Sequence, residues 1–122
     1  MKLFLLLGII NGFLAVALGA FGAHGLEGKI SEKSIEIWEK AVHYQMFHAT
    51  ALLVTGLLFA KAQVASITAA GWMFLIGIIL FSGSLYIYAI TSVKGFAMIT
   101  PFGGVSFLVG WLLLAIFTIK YV

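Results

Sequence analysis

Along this chain the residues fall into long apolar blocks separated by short polar interruptions, not into an even mixture. The first block, Leu3 to Ala23, runs for about 20 residues, the length a helix needs to cross a hydrocarbon core. The second begins as an amphipathic helix at about 31–42. Ile35, Ile37, Trp38 and Val42 form one side of it, and Glu32, Glu36, Glu39, Lys40 and His43 much of the other. It passes into an apolar span at about 41–60 with no Gly or Pro before Gly56. A third block at about 67–91 is long enough to cross with some tilt. The last, about 101–119, opens on Thr100-Pro101, and Pro is tolerated at a first helical position because its missing N–H would be unpaired there anyway. The pattern predicts one all-α transmembrane domain over residues 1–122. It is an integral membrane four-helix bundle with an amphipathic interfacial extension on the second helix and both termini on one side.

Finer features follow from residue type. Gly8, Gly12, Ala15, Gly19 and Gly22 recur at spacings of four and three, a small-residue stripe that lets a neighbouring helix come close. Gly103, Ser106 and Gly110 repeat the device in the last block. The first block also resembles a secretory signal with a cleavage site near Ala15-Val16-Ala17, but the glycine stripe suits packing better than removal. Ser31 is placed to cap the second helix, with Glu32 and Glu36 at the positive end of its dipole. Trp38 is expected to anchor that helix at the headgroup level. Ser82-Gly83-Ser84 reads as a small polar break inside the third block. Phe96 to Ile99 read as apolar residues that re-enter the membrane before the last helix.

Composition narrows the class. Only 9% of residues are charged and 63% are hydrophobic, against about 25% charged in soluble domains, so a water-facing surface cannot be built from this inventory. The strand alternation of a membrane barrel is missing. With no Cys, disulfides and thiolate metal sites are excluded. The basic residues are seven Lys scattered singly, net charge +3, which does not suit phosphate backbones and sets nucleic acid aside. Lys2, Lys61 and Lys120 fall on the side of the termini, and Lys29, Lys33, Lys40 and Lys94 opposite. The rule that counts basic residues in loops therefore gives no orientation by itself.

Candidate chemistry is sparse. His43 and His48 lie five apart, so at about 100° per residue they point roughly 140° away from each other and cannot close on one ion. The plain expectation is that His24 ties down the first loop, His43 pairs with Glu39, and His48 bonds a buried hydroxyl or carbonyl. A proton-titrating role is the sharper one, since histidine titrates near neutrality. No metal and no cofactor is expected. His24, His43, Tyr44, Gln45, His48, Asn11, Ser82, Ser84, Thr100 and Ser106 form the candidate polar pocket, because polar groups at membrane depth are functional candidates. Ser and Thr there also serve as ordinary interhelical glue. No serine–histidine–acid set and no phosphate loop is present, so catalytic residues are not expected and the protein is expected not to be an enzyme.

Four segments carry a resemblance. They are Leu18-Gly19-Ala20-Phe21-Gly22-Ala23-His24-Gly25-Leu26, Tyr44-Gln45-Met46-Phe47-His48-Ala49, Phe81-Ser82-Gly83-Ser84-Leu85-Tyr86, and Ile99-Thr100-Pro101-Phe102-Gly103-Gly104-Val105-Ser106-Phe107. In that order they resemble the signature blocks of the YgdD/YwdK-like family of small membrane proteins, domain of unknown function 423. The resemblance implies a four-span integral membrane protein, mostly bacterial, without an activity attached, and tips the orientation toward cytoplasmic termini in the plasma membrane. The function expected from the residues is a non-enzymatic module that binds membrane lipid, itself as a homo-oligomer, or a larger membrane complex. The alternative is a small channel or carrier with a polar path past His48, Gln45 and Ser82–Ser84.

Overall fold

A chain this apolar leaves its backbone N–H and C=O groups only each other as partners once it enters lipid, and helices satisfy them segment by segment. The computed structural model describes residues 2–122, and these are helical with no strand among them. Helix α1 is Lys2–Gly25, α2 is Glu32–Leu58, α3 is Ala65–Thr91, α4 is the single turn Lys94–Ala97, and α5 is Thr100–Tyr121.

The helix ends have local causes. Ser31 holds an extended backbone (φ −65°, ψ 158°) and its hydroxyl accepts the Ser34 N–H at 3.1 Å, the expected cap. Ser31→Ala should cost about 1 kcal/mol, read as a lower thermal midpoint of the detergent-solubilised protein. Gly28 turns the first loop at φ +78°, a conformation glycine adopts freely. Ser92 closes α3 in the left-handed region (φ 58°), its N–H reaching Tyr88 O at 2.8 Å. Pro101 lies in the first turn of α5, as its ring requires.

Two apolar clusters fix the topology. Phe4 at the start of α1, Ala51 and Leu52 near the end of α2, Ile67 and Ala70 at the start of α3, and Phe117 near the end of α5 share one core. Leu26, Trp38, Val42 and Ala89 form the second, at the opposite end. Successive long helices therefore run antiparallel. Contacts are dense between α1 and α2, between α2 and α3, and between α3 and α5, but sparse between α2 and α5. That leaves a cleft between the last pair.

Close approach depends on particular glycines. A Cβ at Gly8 would meet Leu53 and the Ala49 carbonyl, one at Gly22 the Trp38 ring, and one at Gly103 the Phe81 backbone. Gly110 lies against Phe74, and Gly19 more loosely against Val42. Ala15 is fully buried in the same stripe. Gly12 departs from the expected packing set, because nothing lies within 4 Å of its would-be Cβ. The buried position of that turn is Asn11, one residue earlier. Gly71 against Phe4 and Gly77 against Phe107 are equivalent contacts that the spacing did not single out.

Two further expectations change. Ser82-Gly83-Ser84 is not a break: Ile78–Ser82 adopt a π winding, Gly83 N–H reaches Ile78 O, and the helix continues. A continued helix suits lipid, where an open break would leave backbone groups bare. Trp38 is 3% exposed and donates from Nε1 to Leu18 O at 2.8 Å, so it locks α2 onto α1 instead of anchoring at headgroups. Phe96 and Ala97 belong to α4, and Met98 and Ile99 form the turn that joins it to α5.

Three helices, Lys2–Gly25, Ala65–Thr91 and Lys94–Tyr121 (α4 and α5 together), are long and apolar enough to cross a membrane by length and composition. The stretch expected to span at 41–60 is not among them, since His43, Gln45, His48, Thr50 and Thr55 dilute its apolar character and its helix ends at Leu58. Large apolar side chains such as Ile9, Phe13, Leu57, Ile79, Leu112 and Ile119 point outward. A surface of that kind is stable against hydrocarbon, not water.

Candidate functional site

The inward stripe of α2 carries the polar residues. Trp38, Ala41, Gln45, His48, Leu52 and Thr55 are all buried and recur at three- and four-residue steps, so the helix presents Gln45 and His48 to its neighbours on one face. Burial obliges each to find partners.

Gln45 links three helices. Its Nε2 donates to Asn11 Oδ1 on α1 at 3.0 Å, and its Oε1 accepts from the Tyr86 hydroxyl on α3 at 2.7 Å. Asn11 Nδ2 donates in turn to Leu7 O at 2.8 Å. His48 is held differently. Trp111 Nε1–H donates to His48 Nε2 at 3.0 Å, and His48 Nδ1 lies 2.8 Å from Tyr44 O. The indole can only donate, so Nε2 is the bare nitrogen and Nδ1 carries the proton toward the carbonyl. The imidazole is therefore neutral, with both nitrogens engaged. Its face lies on Phe107 at 3.5 Å between ring centres and 9° between planes.

The hydroxyls clasp helices in pairs. Ser82 donates to Ala41 O at 2.7 Å, joining the π turn of α3 to α2. Ser84 donates to Phe81 O at 2.9 Å and lies 2.6 Å from the Thr100 hydroxyl, tying α3 to α5. Ser106 donates to Met73 O at 2.7 Å. Among the described residues no buried side-chain N or O lacks a partner.

Between α2 and α5 lies an open groove of about 990 Å³, at the upper end of typical ligand-site volumes. His48, Phe81 and Phe107 form its floor, and Phe47, Leu108 and Trp111 its walls. The π turn matters here, because it carries Phe81 to within 4.3 Å of the Tyr44 ring. His43 and Tyr44 lie at the end nearer the amphipathic part of α2, and Pro101 and Gly104 face them from α5.

The ten candidate polar residues thus divide. His43, Tyr44 and His48 line the groove; Asn11 and Gln45 form the three-helix network; Ser82, Ser84, Thr100 and Ser106 are clasps; His24 is exposed at the end of α1. The expected pairing of His43 with Glu39 is not made among the described residues. Nor do three or more His, Cys, Asp or Glu side chains come together there. Tyr86, Trp38 and Trp111 are working hydrogen-bond donors inside the bundle. The available signal was chemical: a Trp N–H or Tyr O–H inside a bundle needs a partner.

The relatives that comparison finds are membrane proteins. A family profile described as "Protein of unknown function (DUF423)" matches residues 18–104. The chain is 52% identical over 121 residues to a UPF0382 membrane protein of Staphylococcus epidermidis, covering 99% of this chain and 98% of that one. It is 49% identical over 122 residues to UPF0382 membrane protein YwdK of Bacillus subtilis, covering 99% of each. A UPF0382 membrane protein of Staphylococcus aureus is 50% identical over 121 residues, 99% of this chain and 98% of its own. No solved structure matches.

Proposed function

The chain belongs to the DUF423 family of membrane proteins, and from that footing we propose that it is a non-enzymatic membrane module whose groove between α2 and α5 holds the apolar part of a membrane lipid. The observation that carries this reading is the groove itself: about 990 Å³, lined largely by apolar and aromatic side chains and open sideways. Its rims, Phe47 at 60% and Leu108 at 65% exposure, are continuous with the outward apolar surface of the bundle. An acyl chain reaches such a groove from the bilayer without crossing water.

In this reading α2 is a fourth membrane-embedded helix, kept in lipid because its polar stripe is satisfied by α1, α3 and α5. The termini face the cytoplasm of a bacterial plasma membrane, and the outward apolar faces allow a homo-oligomer. The alternative of a channel or carrier draws less support. Gln45, His48 and the Ser82–Ser84 segment are engaged in separate pairs, not along one path.

Gly104 supplies the test. It lines the groove, and the nearest atom to its would-be Cβ is Phe81 Cδ2 at 4.0 Å, so a larger side chain there fills the groove and spares the core. Native mass spectrometry of protein released in mild detergent should find retained phospholipid on the wild type and several-fold less on Gly104→Phe. Equal retention by the two would contradict the reading.

A further inference from the structure

Resting on that reading, we infer that the groove is built for one class of amphipath, a neutral molecule dissolved in the membrane whose planar ring bears carbonyl or hydroxyl groups and carries an apolar tail, the chemistry of an isoprenoid quinone or a long-chain phenol. Three observations converge.

Aromatic rings line the groove: Tyr44 stands open to it, and His48 and Phe107, both buried, lie behind as a pair stacked on each other. The rings of Tyr44, His48 and Phe107 are nearly parallel, 9° between Tyr44 and His48, 9° between His48 and Phe107, and 17° between Tyr44 and Phe107. The open Tyr44 ring, set in the same plane as the buried pair, favours a guest with a flat ring that stacks on it. An alkyl chain gains nothing from that alignment.

Two polar side chains in the same groove are unengaged. Neither the Tyr44 hydroxyl nor the His43 imidazole has a hydrogen-bond partner among the described residues. Both lie within about 6 Å along the helix axis of Lys40, the last charged residue of α2, at 1.5 Å per residue. A ring at that depth would present its oxygens to them, while its tail runs inward past Phe47 and Leu108 into the bilayer. Carbonyl oxygens would accept from the phenol, and a ring hydroxyl would donate to the imidazole.

The groove carries no charge of its own to hold an ionic headgroup. His48 is neutral with both nitrogens engaged, and among the described residues no Lys or Glu lines the cavity. A neutral ring fits this lining, and an anionic headgroup has no counter-ion in it.

Decylubiquinone is the probe, since quinones quench tryptophan and Trp111 lines the groove. Titrated into the purified, detergent-solubilised full chain, it should quench fluorescence saturably, and that saturable part should vanish in Trp111→Phe and in Gly104→Phe. Tyr44→Phe keeps the ring that packs on Phe81 and removes only the hydroxyl. It should weaken binding roughly fivefold, the worth of one hydrogen bond. Decanol, the tail without a ring, should compete poorly. Linear quenching that persists in Trp111→Phe, binding unchanged by Tyr44→Phe, or decanol competing as well as the quinone would each overturn the inference. Phospholipid retention measured on the same preparation separates the two levels. Lipid lost in Gly104→Phe without saturable quinone binding leaves the lipid groove and removes the ring site; neither effect removes both.

Discussion

Gly103→Ala is expected to loosen α3 from α5 and lower the protein's stability, although alanine is the better helix former. The added methyl would overlap the backbone N and Cα of Phe81. A backbone cannot rotate aside as a side chain can, so the helices must move apart. Overpacking of this kind costs about 1–3 kcal/mol or more, against about 1 kcal/mol gained in helix propensity. The net effect is a loss, and the groove floor, which Phe81 helps to build, opens with it. Gly12→Ala is the counterpart. With nothing within 4 Å, it should be neutral or stabilising by up to about 1 kcal/mol. Denaturation followed by tryptophan fluorescence in mild detergent reads both, and the same chemical change should move the midpoint in opposite directions. Equal shifts would mean that α3 and α5 do not approach as described.

Gln45→Leu is expected to be the most damaging of the polar substitutions. It removes the bonds to Asn11 and Tyr86 together and leaves the Asn11 carbonyl and the Tyr86 hydroxyl bare inside the bundle. An interhelical bond in membranes is worth about 0.6 kcal/mol on average and about 1.7 at most, which sets a floor of roughly 1 kcal/mol for the two. Groups left unsatisfied cost more, about 1–3 kcal/mol each, so a total of about 2–6 kcal/mol is expected for the two. Tyr86→Phe breaks one bond and should cost about 1 kcal/mol. The double variant should lose less than the sum, because both changes remove the same bond. Strict additivity in the unfolding midpoints would show that Gln45 and Tyr86 are not partners.

Features with a local cause were legible in the sequence. The apolar blocks read directly, because bilayer thickness sets helix length, and the Ser31 cap and Pro101 followed from a single turn of backbone. Pairings between helices were not. Periodicity places Gln45 and His48 on one face of α2, but nothing in it says that Asn11, Tyr86 and Trp111 are opposite. Gly12 and Gly103 look alike as members of a stripe, and only the neighbouring helix decides that one is open and the other filled. The π turn has no residue signature: Ser82-Gly83-Ser84 suggests a break, whereas Ser82 instead reaches Ala41 O from an unbroken helix. The groove follows from these hidden facts, since it exists only because α2 and α5 stand apart across the Phe81–Phe107 floor.

Whether lipid occupies that groove is tested most directly by a phospholipid with a photoreactive acyl chain, incorporated into vesicles with the purified protein and mapped after irradiation by peptide mass spectrometry. The account predicts adducts concentrated on the groove walls, on Phe47 and Leu108, well above those on the equally exposed outer face of α1 at Ile9 and Phe13. Gly104→Phe should bring the groove down to the level of that outer face. Adducts spread evenly over all outward apolar residues, and unchanged in Gly104→Phe, would mean that the groove is ordinary lipid-facing surface and not a site.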